Sequence, residues 1–303
     1  MSEARGVPLP APPPSSPVPS PPLPSPTTAP TPSRMTELGK RVLSTIVLLP
    51  IFIWIVVGGP AWLFALMIVG AAMLANWEFT RMFQRAGVPV LREAGLLWGG
   101  LVTLAFVRPD RAGPAFAVVV LGLLAASLDR GGAGPARWQR VAVTLLGVCY
   151  VNWLLGHVIS LRALPDGVHW VLLLVWVTWI GETAAYTVGS LVGRHKLAPG
   201  ISPGKTIEGA VAQLVASLLA ALTAGGWLFP GLGVRDAVAV GVLLGVLGQV
   251  GDLVESALKR SVGTKDTGNV IPGHGGILDR IDGLLFNAPV LFYYVTYGRA
   301  WSA

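Results

Sequence analysis

The sequence predicts an all-α polytopic integral membrane protein that crosses the bilayer about nine times. Hydrophobic residues make up 53% of the 303 residues and charged residues only 12%, whereas soluble globular domains contain about 25% charged residues. The hydrophobic residues form successive runs separated by short polar or Gly/Pro-rich loops. The 22 Lys and Arg residues outnumber the 15 Asp and Glu residues, which favours an anionic partner such as a lipid or a nucleotide. The composition therefore argues strongly against a water-soluble globule.

Residues 1–34 form a proline-rich tail that precedes the first apolar run. They contain 13 of the 25 prolines, interleaved with Ser, Thr and Ala. Such a composition favours an extended, disordered chain. It lacks the basic segment followed directly by an apolar segment that marks a secretory signal peptide. We therefore predict that the tail is a disordered tether.

Apolar runs that follow the tail are the candidate membrane spans. A helix needs about 20 residues to cross the hydrocarbon core of a bilayer. The third, fourth and ninth runs are short for a complete span. The predicted spans cover residues 42–58, 61–76, 94–107, 114–128, 141–161, 168–189, 208–229, 236–256 and 283–298.

The distribution of Lys and Arg predicts the orientation of these spans, because cytoplasmic loops are enriched in basic residues. With the N-terminus in the cytoplasm, the inner segments hold 16 Lys and Arg residues and the outer loops hold 5. The C-terminus then lies outside. Two long polar connections, residues 190–207 and 257–282, both fall on the inner side. Any chemistry is therefore expected to face the cytoplasm.

A stripe of small and ionisable residues runs along the eighth predicted span. Asp252, Glu255 and Lys259 fall on one helical face, together with Ser256. Glycines at positions 241, 245 and 248 lie on the same face, and small residues let helices approach closely in lipid. The stripe is therefore predicted to point into the helix bundle. An ionisable residue there is costly, so a functional role for Asp252 is favoured over a paired structural ion.

Two more aspartates, Asp279 and Asp282, stand three residues apart where the ninth predicted span begins. Gly275 and Gly276 precede them and leave room for a backbone segment or an anion at a helix N-terminus. Carboxylates from two helix ends are thus expected to converge. Oxygen ligands of this kind suit Mg²⁺, which commonly takes one or two carboxylates together with waters and substrate phosphates. The cations expected to neutralise phosphate charge are Lys259, Arg260, Lys265 and Arg280.

This polar segment resembles the signature of the phosphatidate cytidylyltransferase family, whose members are also called CDP-diacylglycerol synthases. The resemblance is carried by residues 256–260, 265–266 and 274–282. A second stretch, residues 202–209, is similar to the family's Ser-Pro-x-Lys-Thr-x-Glu-Gly segment. One position differs, since the family usually has Asp where this chain has Glu182.

The resemblance implies transfer of CMP from CTP to the phosphate of phosphatidic acid, which yields CDP-diacylglycerol and pyrophosphate and requires Mg²⁺. By the same resemblance, Asp252 and Asp279 would hold the metal and Lys259 would contact phosphate. Asp282 would support the site or hold a second metal ion. Whether one or two metal ions bind stays open, as does the formation of a homodimer.

The family further implies a multi-pass protein of the bacterial cytoplasmic membrane, with the lipid bilayer, CTP and phosphatidic acid as its partners and no nucleic acid. The chain would divide into the tail, a set of N-terminal transmembrane helices in residues 35–180, and a catalytic transmembrane region with cytoplasmic loops in residues 181–303. The predicted catalytic residues are Asp252, Lys259, Asp279 and Asp282. The predicted substrate-binding residues are Glu182, Ser202, Lys205, Ser256, Arg260, Lys265, Asp266, His274, Gly275, Gly276 and Arg280.

Other classes of function stay open at this point. A transporter or channel would also contain buried ionisable residues and glycine-interrupted helices, but it would not explain why so many charges concentrate in one inner loop. A CTP-dependent lipid kinase is a second alternative. A CDP-alcohol phosphatidyltransferase is disfavoured, because the residues after Asp282 do not form an Asp-Gly-x-x-Ala-Arg run.

Two weaker motifs favour structural roles. Residues 77–82, Trp-Glu-Phe-Thr-Arg-Met, are predicted to be an interfacial amphipathic stretch that anchors the chain. Residues 200–206 have three rather than four residues between their glycines, so they do not form a Walker site. Lys205 and a helix start near Thr206 would still suit an anion, or the threonine would serve as a simple helix cap.

Overall fold

The computed structural model describes residues 34–128, 134–268, 270 and 275–298, with side chains described from residue 46 onward. Within these ranges the regular secondary structure is helical apart from one short hairpin, and turns and irregular loops connect the elements. The helices are α1 Arg34–Val57, α2 Ala61–Arg85, α3 Arg92–Ala105, α4 Pro109–Ala126, α5 Pro135–Gly147, α6 Leu154–Ala163, α7 Gly167–Val192, α8 Ile207–Ala224, α9 Val234–Ser261 and α10 Leu278–Tyr293. Two π-helical segments, Val148–Trp153 and Tyr294–Gly298, continue α5 into α6 and extend α10.

Each of the nine predicted spans falls on a helix of the described chain. Six helical stretches are long and apolar enough to cross a membrane, namely Ala61–Arg85, Pro109–Ala126, Pro135–Ala163, Gly167–Val192, Ile207–Ala224 and Val234–Ser261. Large apolar side chains such as Trp62 and Leu121 are exposed on these helices, with 67% and 65% of their surface accessible. Length, composition and these exposed side chains are those of a multi-pass membrane protein.

Two of the remaining three predicted spans correspond to shorter helices, since α3 and α10 have 14 and 16 residues. Helix α1 has 24 residues, and Ile46–Val57 is its apolar stretch among the residues whose side chains are described. The fourth predicted span, which looked short in the sequence, is long enough in the structure because α4 begins at Pro109. The count of nine spans and the position of each terminus stay predictions.

Small residues bring α8 and α9 into close contact, as the stripe predicted. A Cβ atom placed on Gly241 would lie 2.6 Å from the Cα atom of Leu218, and one placed on Gly245 would lie 3.2 Å from the Cα atom of Leu214. Backbone atoms cannot move aside as a side-chain tip can. Glycine at these positions is therefore what lets the two helices approach each other. The ionisable end of α9 is held in the bundle as a consequence.

The prediction of an interfacial anchor at residues 77–82 is wrong. These residues continue α2, which ends at Arg85, and several of them are fully buried. Glu78 has 0% of its surface exposed. The amphipathic pattern was real, because Arg81 is exposed and its guanidinium lies 4.7 Å from the ring of the half-buried Trp77. The buried face, however, packs against protein rather than lying on a membrane surface.

The connection between α7 and α8 contains a hairpin that an all-α prediction did not include. Strands β1 Lys196–Ala198 and β2 Ser202–Thr206 pair antiparallel. Thr206 ends the second strand and caps α8, since its hydroxyl oxygen accepts a hydrogen bond of 3.1 Å from the backbone N–H of Gly209. The helix start predicted near Thr206 is confirmed. The hairpin holds Lys205 against α9.

Candidate active site

Three carboxylates lie close together where helices α9 and α10 pack against each other. Asp252 and Glu255 lie one turn apart on α9, and Asp282 lies in the second turn of α10. One oxygen from each of the three lies within 4.8 Å of the others. The approach of α10 depends on Gly251, where a Cβ atom would stand only 2.9 Å from the carbonyl oxygen of Asp282. We call these three residues the acidic triad.

The acidic triad has the donor set of a divalent cation site. Glu255 is 2% exposed and Asp282 is 9% exposed, and like charges brought together out of water repel strongly. The Oε1 atom of Glu255 is buried and meets no hydrogen-bond donor among the described residues. A hard cation with oxygen ligands would satisfy both needs. The triad therefore fits Mg²⁺.

Two lysines contact different members of the acidic triad. The Nζ atom of Lys205 lies 2.8 Å from Oδ1 of Asp252. The Nζ atom of Lys259 lies 3.2 Å from Oε2 of Glu255 and 2.9 Å from Oδ1 of Asp279. Lys259 is thus enclosed between carboxylates of α9 and α10, with 14% of its side chain exposed. The positive charge of the two lysines partly compensates the buried carboxylates.

Asp279 lies beside the acidic triad, and Lys259 bridges it to Glu255. The Oδ1 atom of Asp279 accepts from Lys259. Its Oδ2 atom accepts hydrogen bonds from the backbone N–H of Thr267 at 3.2 Å, from the Thr267 hydroxyl at 2.9 Å and from the backbone N–H of Gly276 at 3.3 Å. The structure therefore places Asp279 next to the predicted site, with its oxygens already occupied by donors. Its role as the second metal ligand beside Asp252 stays a prediction.

A cavity of about 350 Å³ opens beside Asp252. It lies between α7, the hairpin, α8 and α9. Its polar lining combines a carboxylate from α7, a lysine from the hairpin and two amide side chains from α8 and α9. The polar residues that line it include Glu182, Tyr186, Ser202, Lys205, Gln213, Gln249 and Asp252.

The structure brings some predicted substrate-binding residues to this cavity and leaves others at its margin. Glu182 lines the cavity and also faces α10, since a Cβ atom on Gly283 would collide with its Oε1 atom. Arg260 instead binds backbone, because its Nε donates to the carbonyl of Ile201 and its Nη1 to that of Thr264, each at 3.3 Å. It ties the hairpin turn to the end of α9.

The remaining predicted residues lie in or near the segment that leads into α10. Ser256 is half-buried one residue after Glu255, whereas Lys265, Asp266 and Arg280 are exposed. Gly275 has a φ of 84°, in the left-handed region that glycine tolerates best. Gly276 is buried and donates to Asp279. His274 lies outside the described residues.

Sequence reasoning missed three residues of this region. Glu255 had a local signal, since it shares a helical face with Asp252 and Lys259, but it was not assigned to the site. Thr267 and Glu78 had none. The hydroxyl of Thr267 lies 3.4 Å from Oε2 of Glu78, although 189 residues separate them along the chain.

Comparison with known proteins shows which family this chain resembles over most of its length. A model of the cytidylyltransferase family matches residues 39–298. The chain is 32% identical over 266 residues to a phosphatidate cytidylyltransferase of Staphylococcus haemolyticus, a match that covers 83% of this chain and 96% of the relative. It is 33% identical over 263 residues to a protein of the same name from Staphylococcus aureus, with the same coverage. A phosphatidate cytidylyltransferase of Staphylococcus saprophyticus is 40% identical over 150 residues, which cover 50% of this chain and 57% of the relative.

Proposed function

Because the chain belongs to the cytidylyltransferase family, we propose that it transfers CMP from CTP to phosphatidic acid and so forms CDP-diacylglycerol and pyrophosphate. The observation that carries this proposal is the acidic triad, a group of three carboxylates whose oxygens lie within 4.8 Å of one another beside Lys205 and a cavity. The names of the relatives, phosphatidate cytidylyltransferases, supply the substrate class.

The proposed reaction joins two polyanions. A phosphate oxygen of phosphatidic acid forms a new bond to the α-phosphorus of CTP, while the bond from that phosphorus to the bridging oxygen of the β-phosphate breaks. The electron pair leaves with pyrophosphate, so no protein nucleophile is needed. Catalysis then depends on charge neutralisation and on alignment of the two reactants.

The residues of the site suit these two needs. Asp252, Glu255 and Asp282 would hold Mg²⁺, which when bound would polarise the α-phosphate and stabilise the departing pyrophosphate. Lys205 is placed at the cavity wall, where its ammonium group can contact a substrate phosphate. Ser202 offers a hydroxyl on the same wall. In this proposal Lys259 holds Glu255 and Asp279 in place and adds positive charge.

The site is proposed to face the cytoplasm, where CTP is available. This placement follows the excess of Lys and Arg in the inner segments. The lipid substrate would enter from the membrane. Tyr186 lines the cavity and is 80% exposed, and in this proposal it lies on the route of the entering lipid.

The test is a lipid-product assay on purified protein in detergent. Labelled CTP, phosphatidic acid and Mg²⁺ should yield labelled lipid and pyrophosphate, and dCTP, ATP and other lipid phosphates serve as competitors. No labelled lipid from the wild-type protein would refute the proposal. Release of CDP instead of pyrophosphate would identify a CTP-dependent lipid kinase.

Substitutions in the acidic triad test the carboxylates themselves. Asp252→Asn, Glu255→Gln and Asp282→Asn should each lower kcat roughly 100-fold or more, because each removes a charged oxygen ligand. Asp110→Asn, an exposed carboxylate at the start of α4, is the matched control and should keep wild-type rates. Asp279→Asn is assayed in parallel across a Mg²⁺ titration. An unchanged Mg²⁺ requirement would remove its predicted role as a metal ligand.

A further inference from the structure

Glu78 is a fully buried carboxylate that the proposed mechanism does not use. It lies on α2, in the N-terminal half of the chain, and 0% of its surface is exposed. Its Oε2 atom accepts a hydrogen bond of 2.9 Å from the backbone N–H of Leu278, the first residue of α10. The same oxygen lies 3.4 Å from the hydroxyl of Thr267. Burying an ionisable side chain this deeply costs free energy unless hydrogen bonds or opposite charges compensate it, so a functional role is favoured.

The segment before α10 is shaped to receive this carboxylate. A Cβ atom on Gly268 would lie 2.6 Å from Oε1 of Glu78, and one on Gly276 would lie 2.7 Å from Oε2. Any larger residue at either position would push the carboxylate out of place. Two glycines from one segment therefore enclose a side chain that comes from a distant helix.

The start of α10 needs an acceptor that its own sequence does not supply. The first N–H groups of a helix have no acceptor within the helix, and a side chain at the N-cap position usually provides one. Here that position is Ile277, whose side chain has no polar atom. The carboxylate of Glu78 fills this role for Leu278, and its negative charge is also favourable at a helix N-terminus.

The residues that Glu78 contacts are those that orient Asp279. Thr267 donates to Asp279 through its backbone N–H and its hydroxyl. Asp279 in turn accepts from Lys259, and Lys259 contacts Glu255 of the acidic triad. A continuous chain of polar contacts thus runs from α2 to the triad. Asp282 lies one turn after Leu278 on the same helix, so the position of the helix start also sets its position.

We propose that Glu78 is a positioning residue for the cytidylyl transfer reaction. It holds the N-terminus of α10 so that Asp279 meets Lys259 and Asp282 meets Asp252 and Glu255. Glu78 does not touch substrate in this proposal. The kinetic part of the inference rests on the proposed function, whereas the structural part, that Glu78 fixes the start of α10, does not.

Three substitutions separate positioning from simple packing. Glu78→Gln keeps an amide oxygen that can accept from Leu278 and should retain activity within about threefold of wild type. Glu78→Asp is shorter by one methylene and Glu78→Ala has no acceptor, so both should lower kcat and raise the Mg²⁺ concentration for half-maximal activity, roughly 10-fold or more. Glu93→Ala, an exposed glutamate in the first turn of α3, is the control and should change neither value.

A second measurement does not depend on activity. Hydrogen exchange followed by mass spectrometry on the full chain in detergent should show at least about tenfold faster exchange at the start of α10 in Glu78→Ala and Glu78→Asp, with near-normal rates in Glu78→Gln and elsewhere in the chain. If the wild-type protein formed no CDP-diacylglycerol but the exchange pattern held, the proposed function would fail and the structural part would stand.

Two outcomes would overturn the inference. One is wild-type exchange at the start of α10 together with wild-type kinetics in Glu78→Asp. The other is loss of stability that spreads evenly over the chain in all three variants, including Glu78→Gln, because that result would make Glu78 an ordinary packing residue.

Discussion

Lys259 is enclosed by carboxylates of two helices and therefore affects stability as well as chemistry. The family resemblance assigned it to substrate phosphate, whereas the structure places its Nζ atom within 3.2 Å of Glu255 and 2.9 Å of Asp279. A buried cation between two carboxylates cannot be removed without leaving uncompensated charge. Breaking such an arrangement typically costs about 3–5 kcal/mol.

We predict that Lys259→Ala lowers the melting temperature of the purified protein as well as its rate of lipid product formation. Thermal unfolding followed by intrinsic fluorescence in detergent measures the first effect. Lys196→Ala, an exposed lysine in β1, should leave the melting temperature unchanged. A normal melting temperature combined with a raised KM for CTP would show instead that Lys259 acts on the nucleotide alone.

At the scale of elements, the contact between α8 and α9 positions two members of the acidic triad. Asp252 and Glu255 lie on α9, and the glycines of the same helix set its distance from α8. The hairpin adds Lys205. Small displacements of α9 would therefore separate the lysine from Asp252.

We predict that Gly241→Ala destabilises the protein and lowers its activity. The new Cβ atom would lie 2.6 Å from the Cα atom of Leu218, so the helices must move apart at a cost of about 1–3 kcal/mol. Gly70→Ala, inside α2, is the matched control, because a Cβ atom there has nothing within 4 Å. Melting temperature and kcat are measured for both variants. Equal behaviour of the two would refute the argument from close packing.

At the scale of the whole molecule, the N-terminal helices and the predicted catalytic region form one contiguous structure. Helix α10 contacts α2 and α6 as well as α7 and α9. The hydrogen bond from Leu278 to Glu78 crosses the predicted boundary between residues 35–180 and 181–303. The N-terminal helices are thus expected to contribute to the geometry of the site in addition to anchoring the chain.

The proline-rich tail, of which residues 1–33 lie outside the described residues and Arg34 begins α1, is predicted to be dispensable for catalysis. Deleting residues 2–33 should leave specific activity within about twofold of wild type, because such a composition does not contribute to a packed core. Deleting residues 2–57, which also removes α1, should reduce the amount of protein recovered in the membrane. A large loss of specific activity after the shorter deletion would show that the tail takes part in function.

The sequence by itself determined the features that depend on local pattern. Hydrophobic runs located the helices, the threonine before residue 207 located the start of α8, and helical periodicity placed Asp252, Glu255 and Lys259 on one face. Such features repeat over one or a few turns, so they are visible in a short window of sequence.

Only the tertiary structure decided which side chains meet. It paired Lys205 with Asp252, joined Asp282 rather than Asp279 to the compact group of carboxylates, and brought Glu78 to a helix start 200 residues away. It also showed that most of the predicted interfacial stretch, namely residues 78–80 and 82, is buried against protein. These outcomes depend on how helices cross and on how closely glycines let them approach, and no local periodicity records either quantity.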